Sequence, residues 1–268
     1  MLRVKLSVVC VCLLTTSAFL MTGCSTAPVD KTAGMSPNTL YAEAKDEMST
    51  GQWDKAVPLL EKLEARAAGT PLAQQAQLDK AYAQYKAGEQ AQALATLERF
   101  MKLHPASPAL DYALYLRGVI NFNDDLGLFS DLTRQDLAER DQKASKESFE
   151  AFKELVARFP DSRYAPDARQ RMAYIVGSLA QYEVYVARYY YKRGAYLAAA
   201  NRAQQTVTDY RDVPAVEEAL FILYKSYDAL GMQQLRDDAK RVLETNYPQS
   251  EFLSKGSRST QNPWWKFW

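Results

Sequence analysis

The chain has 268 residues, of which 47% are hydrophobic and 24% charged, so it can bury a core and is not a disordered segment. Its net charge of +1 shows no basic excess that would indicate nucleic acid as a partner. With one histidine, His104, three cysteines and no glycine-rich phosphate loop, the sequence excludes a disulfide framework and a Cys/His zinc site, and we predict no cofactor and no metal.

The N-terminus has the pattern of a secretory signal peptide. Arg3 and Lys5 supply the positive charge, and residues 6–21 form an almost uncharged apolar run that is too short for a membrane span. We therefore predict a signal peptide over residues 1–23. The alternative is an uncleaved N-terminal helix.

Cys24 is the predicted site of lipid attachment. The segment Met21-Thr22-Gly23-Cys24 resembles the lipobox of bacterial lipoproteins, which implies that the cysteine sulfur is acylated, and Ser25 in place of an aspartate favours the outer membrane. An anchor with more than one acyl chain holds a protein at a membrane without a spanning helix. Residues 24–36 are small and polar, and we expect them to form a flexible tether.

From residue 36 onward, helix-start signals recur at a nearly constant step. A serine or threonine before a proline is a strong helix start, because the hydroxyl accepts a backbone N–H bond and proline lacks the donor that would be unsatisfied there. Three such pairs are Ser36-Pro37, Thr70-Pro71 and Ser107-Pro108.

Glycines recur at the same step and mark the turns between helices. Gly51 and Gly88 lie 37 residues apart, as do Gly194 and Gly231, and glycine permits a tight inter-helix turn. A helix, a glycine turn and a second helix at this spacing is the tetratricopeptide pattern.

We therefore predict an all-α tetratricopeptide-repeat solenoid over 37–250, with about five helical hairpins, or ten helices. Its N-terminal half is predicted at 37–160 and its C-terminal half at 166–250. The repeats are predicted at 37–68, 74–105, 111–160, 166–211 and 217–248.

Two repeats depart from the regular length. The third contains an insertion near 122–141, and long insertions in compact domains are usually functional or mobile. The fourth reaches its turn glycine late, which predicts an unusually long first helix. Tyr174, Tyr182, Tyr185 and Tyr189 recur at helical spacing along it, and we interpret this stripe as core packing.

The first helices of a tetratricopeptide array line its concave face, and the register counted from the turn glycines places several tyrosines there. Aromatic side chains offer large contact area and a hydroxyl group, which suits an extended peptide. A slight rotation of the third repeat's first helix would let an arginine meet a peptide carboxylate. The alternative is that some of the tyrosines pack between helices. The predicted substrate-peptide groove comprises Tyr41, Tyr82, Tyr85, Tyr112, Tyr115 and Arg117.

Residues 251–268 leave the periodic region and are first polar, then aromatic, so we predict a disordered tail. Its end contains Trp264, Trp265 and Trp268 together with Lys266, a combination that suits a membrane interface or a partner's pocket. An untethered tail is the alternative.

The combination of the lipobox, the repeats and several local strings resembles the BamD family of lipoproteins, which belong to the β-barrel assembly machinery of Gram-negative bacteria. The resemblance covers roughly residues 37–248, and its most specific strings are DYALYLRG before the insertion and YYYKRGAYLAAANR at the end of the long helix. Two departures are the Arg66-Ala67-Ala68-Gly69 segment, where the family often has an aromatic-proline step, and the aromatic tail.

The resemblance implies a scaffold rather than an enzyme. It implies a lipid-anchored protein on the periplasmic face of the outer membrane that binds unfolded outer-membrane proteins and their C-terminal signal through its N-terminal repeats. It further implies that the C-terminal repeats dock onto the POTRA region of the barrel subunit, BamA, beside other lipoproteins of the complex. Asn201 and Arg202 match the family's docking pair.

Two other functions are compatible with a repeat lipoprotein. One is a generic adaptor for other envelope partners. The other is an enzyme with a carboxylate site at Asp124, Asp125 and Asp131, but no paired base, nucleophile or metal-ligand spacing supports it.

We expect Cys24→Ala to leave the fold intact and to release the protein from membranes, because no other segment of the mature chain is predicted to anchor firmly. Fractionation of cells into soluble and membrane pools measures this. A variant that stayed membrane-bound in cells lacking the barrel subunit would contradict the lipobox assignment.

Overall fold

The computed structural model of the chain describes residues 32–122 and 142–255. Within these two ranges every regular element is an α-helix, which confirms the predicted all-α class. The eleven helices are α1 Pro37–Ser49, α2 Trp53–Arg66, α3 Pro71–Lys86, α4 Gln90–Leu103, α5 Leu110–Phe122, α6 Gln142–Arg158, α7 Ala165–Lys192, α8 Tyr196–Asp209, α9 Ala215–Ala229, α10 Gln233–Asn246 and α11 Glu251–Lys255.

The first ten helices form five hairpins, in which each odd-numbered helix packs against the even-numbered helix that follows it. The predicted tetratricopeptide repeats are thereby confirmed to within a few residues at each boundary. The predicted insertion in the third repeat separates α5 from α6, and its residues 123–141 lie outside the described ranges.

Local chemistry explains where the helices begin and turn. Ser36 and Thr70 cap α1 and α3, their side-chain oxygens accepting hydrogen bonds from the N–H groups of Thr39 and Ala73 at 3.2 and 3.3 Å. The turn glycines adopt the left-handed backbone conformation that other residues reach only with strain, as predicted. Their φ angles are 76° at Gly51, 83° at Gly88, 75° at Gly194 and 71° at Gly231.

The apolar core lies between each hairpin and the first helix of the next repeat. Leu40 of α1, Leu60 of α2 and Ala76 of α3 are completely buried in one cluster. Leu97 of α4 packs with residues of α3 and α5 in the next cluster, and the same arrangement continues to α10. Stacking of neighbours therefore creates the core, as repeat architectures require.

The predicted flexible tether over 24–36 is wrong at its C-terminal end. Residues 32–35 form a turn that is fixed on α2, and Thr32 is buried. Arg66 donates hydrogen bonds to the carbonyl oxygens of Thr32 and Met35 at 2.7 and 3.0 Å, and Lys62 donates to the Thr32 hydroxyl at 2.9 Å. The rest of the tether, Cys24 and the predicted signal peptide lie outside the described residues.

The predicted disordered tail is also wrong at its start. Residues 251–255 form α11, which contacts α9. Phe252 is buried and stacks on Phe221 with ring centroids 5.9 Å apart, so it covers apolar surface that the last repeat would otherwise expose. Trp264, Trp265 and Trp268 lie outside the described residues.

The prediction that the tyrosine stripe on α7 packs in the core is wrong for three of its four tyrosines. Tyr174, Tyr185 and Tyr189 are 50%, 45% and 50% exposed, and only Tyr182 is largely covered. The buried side of this helix instead consists of alanine and aliphatic residues, including Ile175 and Val184. Smaller side chains allow the closer helix contacts, so three of the four stripe tyrosines are about half exposed.

Gly118 on α5 marks the closest approach of α5 and α6. A Cβ at residue 118 would overlap the ring of Phe152, which is completely buried. The Ser148 hydroxyl also donates a hydrogen bond to the Gly118 carbonyl oxygen at 2.8 Å. Only glycine fits at this contact without displacing the buried Phe152 ring.

We expect Gly118→Ala to lower the free energy of unfolding by about 1–3 kcal/mol, because the added methyl group overpacks the contact with Phe152. Gly177→Ala on α7 is the matched control, since no heavy atom lies within 4 Å of its Cβ position. Replacing that glycine in a helix should stabilise the protein by about 0.5–1 kcal/mol. Chemical denaturation measures both, and equal effects at the two sites would contradict the packing described.

Candidate functional site

A cleft of about 430 Å³ opens where the second, third and fourth repeats meet. Its walls combine aromatic, acidic and basic side chains from α3, from α5 and its preceding turn, and from the turn before α7. The lining residues are Gln75, Leu78, Asp79, Ala109, Asp111, Tyr112, Arg163 and Tyr164. This cleft contains one of the tyrosines predicted for the groove and several polar groups that the sequence did not single out.

Three tyrosines and one arginine form a continuous stack at the cleft. Tyr164 stacks on Tyr115 with ring centroids 4.7 Å apart and lies 5.5 Å from the ring of Tyr112. The Arg163 guanidinium lies 4.7 Å from the Tyr164 ring centroid and donates a hydrogen bond to the Tyr164 hydroxyl at 2.6 Å. The exposed Arg163 thus presents a cation beside an aromatic wall.

Hydrogen bonds from tyrosine hydroxyls to carboxylates connect the first helices of successive repeats. The Tyr41 hydroxyl on α1 donates to Asp79 on α3 at 3.0 Å, and the Tyr115 hydroxyl on α5 donates to Asp167 on α7 at 2.9 Å. Burial and the Asp79 carboxylate raise the pKa of Tyr41 to about 12, while burial and the bond to Asp167 raise the pKa of Tyr115. Both tyrosines are therefore neutral donors at physiological pH.

Burial also raises the pKa of Tyr112 well above its ordinary value. Its neighbour Asp111 accepts a hydrogen bond from the Ser162 hydroxyl at 2.6 Å, which attaches the turn before α7 to the start of α5. This contact fixes the two residues that follow Ser162, Arg163 and Tyr164, at the cleft.

Tyr82 and Tyr85 lie on α3, and both pack partly against the apolar core. Tyr82 also contacts Trp53 edge-to-face, with ring centroids 5.7 Å apart. Tyr41 packs against the core of the first repeat in the same way. The structure therefore places the predicted groove tyrosines with one side in the core and the other partly accessible.

Arg117 is not brought together with the groove tyrosines. It lines a separate cavity of about 280 Å³ with Glu98 of α4 and Glu147 of α6, on the side of the second helices. Residues two apart on an α-helix point in nearly opposite directions, so Tyr115 and Arg117 cannot line one groove. A slight rotation of α5 would not reverse this.

Sequence reasoning missed Asp79, Arg163 and Tyr164. The only available signal for the last two was their position in the turn before the helix-start Ala165-Pro166, where a chain returns to the concave side. Asp79 is 7% exposed in the middle of α3 and gave no signal of its own, because its importance lies in the contact with Tyr41.

The C-terminal half uses ion pairs where the N-terminal half uses tyrosine–carboxylate bonds. Arg188 of α7 donates two hydrogen bonds to Glu218 of α9, at 2.7 and 2.8 Å. The two side chains are 16% and 4% exposed, so this bidentate pair is desolvated and fixes the two first helices relative to each other.

Asn201 and Arg202, the predicted docking pair, lie on α8. Asn201 is exposed, whereas Arg202 donates a hydrogen bond to Glu183 of α7 at 2.9 Å. The Arg202 side chain is 41% exposed and that of Glu183 only 9%. Arg202 therefore compensates a buried carboxylate while its guanidinium stays accessible from solvent.

The carboxylates of this site are held by internal hydrogen bonds. Each groove carboxylate is already engaged by a tyrosine or serine hydroxyl, and no group of three or more His, Cys, Asp or Glu in the described ranges is placed to hold a metal ion. None of the helices described here has the length and apolar character needed to cross a bilayer. The candidate carboxylates Asp124, Asp125 and Asp131 lie outside the described residues.

Comparison with known proteins identifies close relatives. A family model described as YfiO, outer membrane lipoprotein, matches residues 33–243. The outer membrane protein assembly factor BamD of Neisseria meningitidis serogroup A is 49% identical over 253 residues, covering 92% of this chain and 95% of the relative. The protein of the same name from Vibrio cholerae is 36% identical, covering 85% and 94%.

Among solved structures, the MamA protein covers 82% of this chain and 94% of its own at 16% identity, with a TM-score of 0.33. The tetratricopeptide architecture follows from the hairpins themselves rather than from this likeness. On the family match and the shared identity, the chain belongs to the YfiO family of outer membrane lipoproteins, the family of the outer membrane protein assembly factors named BamD.

Proposed function

We propose that this chain is the scaffold subunit that receives unfolded outer-membrane proteins in its N-terminal groove and docks to the barrel subunit through its fourth repeat. Family membership makes it an outer-membrane lipoprotein of the β-barrel assembly machinery and a non-catalytic protein. It also favours this machinery over a generic envelope adaptor. The lipid anchor is proposed at Cys24, which ends the lipobox-like segment.

The cleft between α3, α5 and the turn before α7 is the observation that carries the substrate assignment. A strand-forming peptide that ends in an aromatic residue needs an aromatic wall, acceptors for its backbone N–H groups and a cation for its terminal carboxylate. Tyr112 and Tyr164 supply the wall. Each carboxylate oxygen of Asp79 and Asp111 accepts one internal hydrogen bond and has the capacity to accept a second. Arg163 supplies the cation that binds the terminal carboxylate. The sequence had suggested Arg117 for this role.

The proposed docking surface centres on Arg202. A guanidinium has five N–H donors, and the described contact with Glu183 uses one, so a partner carboxylate can bind the remaining donors without breaking the internal pair. Asn201 lies beside it and is exposed. The proposed partner is the POTRA region of a BamA-like barrel subunit, beside other lipoproteins of the complex.

We expect Arg163→Glu to weaken binding of a peptide from the last strand of an outer-membrane barrel, with a C-terminal aromatic residue and a free carboxylate, by about tenfold or more. Arg211→Glu is the matched control, because Arg211 is exposed in the turn one repeat later. Fluorescence anisotropy measures both. A second peptide with the same sequence but an amidated C-terminus tests the role of the carboxylate. If the wild-type protein bound both peptides equally well, the assignment of Arg163 would be wrong.

We expect Arg202→Glu to abolish co-purification with the barrel subunit, since reversing a partly desolvated interface charge costs about 2–5 kcal/mol. It should also destabilise the isolated protein, because Glu183 loses its partner. Arg99→Glu is the matched control, since Arg99 forms a similar cross-helix pair with the mostly buried Glu64 at 2.7 Å.

Glu183→Arg added to Arg202→Glu restores an ion pair of reversed polarity. We expect this double variant to regain thermal stability and to remain defective in docking. Recovery of docking together with stability would mean that Arg202 acts only through the fold. Normal co-purification of the single variant would reject the docking surface itself.

A further inference from the structure

The solvent face of α7 carries an aromatic and basic surface that neither the groove nor the proposed docking pair uses. Tyr174, Tyr185 and Tyr189 are about half exposed on one side of this 28-residue helix. We propose that this α7 face binds an extended segment of a partner protein in which acidic residues alternate with apolar ones.

The three tyrosines form a straight stripe. Positions 174, 185 and 189 differ by 11 and 4 residues, which are close to whole numbers of helical turns, so the side chains emerge in similar directions. Fifteen residues of α-helix from Tyr174 to Tyr189 span about 22 Å. An extended chain of about seven residues covers that length.

The charged residues of the α7 face indicate which kind of partner it binds. Between Ala168 and Arg193 the only acidic residue is Glu183, which is buried against Arg202. Lys192 and Arg193 are exposed at the C-terminal end of the stripe, and the Arg193 guanidinium lies 5.3 Å from the Tyr189 ring centroid. The exposed charges at the C-terminal end of the stripe are therefore basic, and their complement is acidic.

The ion pairs of α7 do not involve the stripe, and within the described residues its internal ring contact to another helix is that of Tyr174, which packs edge-on against Phe122 of α5 with ring centroids 5.8 Å apart. Arg188 and Glu183, which lie between the stripe tyrosines in sequence, point toward α9 and α8 and form the ion pairs with Glu218 and Arg202. Binding at the stripe therefore needs no rearrangement of the pairs that hold the C-terminal repeats together.

A polypeptide fits this face better than a lipid surface. About half of the surface of each of these three tyrosine residues is covered by the rest of the protein. Their hydroxyl groups can hydrogen-bond to a peptide backbone while the ring faces contact apolar side chains. An alternating sequence in extended conformation directs apolar residues to one side and acidic residues to the other.

The test uses the full-length lipidated protein in non-ionic detergent and a fluorescent peptide of about eight residues that alternates aspartate with phenylalanine. We expect saturable binding that weakens with salt and falls at least tenfold in the Lys192→Glu/Arg193→Glu variant. A Tyr185→Ser/Tyr189→Ser variant should lose binding to a similar extent while keeping its melting temperature, because neither residue belongs to the buried core.

Lys86→Glu is the matched control, because Lys86 is exposed in the last turn of α3, two residues before its turn glycine, as Lys192 is in α7. Binding should be unchanged in this variant and absent for peptides with lysine in place of aspartate. Equal binding by the lysine peptide, or no loss in either α7 variant, would overturn the proposal. The proposal would also be overturned if the acidic peptide failed to bind while the mutated α7 residues proved necessary for binding to anionic vesicles or for self-association.

Discussion

A helical hairpin with one apolar side cannot bury that side by itself, and the whole architecture of this protein follows from that constraint. Four core clusters each join a hairpin to the first helix of the next repeat, and a fifth lies between α9 and α10 of the last hairpin, so α3, α5, α7 and α9 each serve two repeats. The two ends need separate solutions. The turn at Thr32 is fixed on α2 at one end, and Phe252 of α11 covers Phe221 at the other.

The same stacking creates the concave surface and determines its chemistry. Successive first helices are connected by the Tyr41–Asp79 and Tyr115–Asp167 hydrogen bonds, so the polar groups of the groove also set the spacing between repeats. Groups that are held by their own structural contacts lose little freedom when a ligand binds. The exposed Arg163, stacked on Tyr164, is the part of this surface with most capacity for a charged ligand.

The two halves of the array present different surfaces because different residues form the contacts between their helices. In the N-terminal half, tyrosine rings pack partly against the core and their hydroxyls donate to carboxylates of the next first helix, while Glu64 forms cross-helix ion pairs with Lys80 and Arg99. In the C-terminal half, alanines fill the core around α7 and α8, and the Arg188–Glu218 and Arg202–Glu183 pairs provide the cross-helix contacts. Tyr185 and Tyr189 of α7 lie outside this core of small residues and are about half exposed. An aromatic peptide groove and a charged docking half are consistent with this division.

The sequence determined what depends on neighbours along the chain: the lipobox-like segment ending at Cys24, the helix starts at Ser36-Pro37 and Thr70-Pro71, the turn glycines, and hence the five hairpins. These signals are local because capping and left-handed turns involve residues only a few positions apart. The tertiary structure alone decided that Arg117 lines a cavity with residues of α4 and α6, that Tyr164 stacks on Tyr115 and that Tyr185 is exposed. Each of these depends on which helix of another hairpin covers a given side, and helical periodicity defines the sides of a helix without specifying what packs against them.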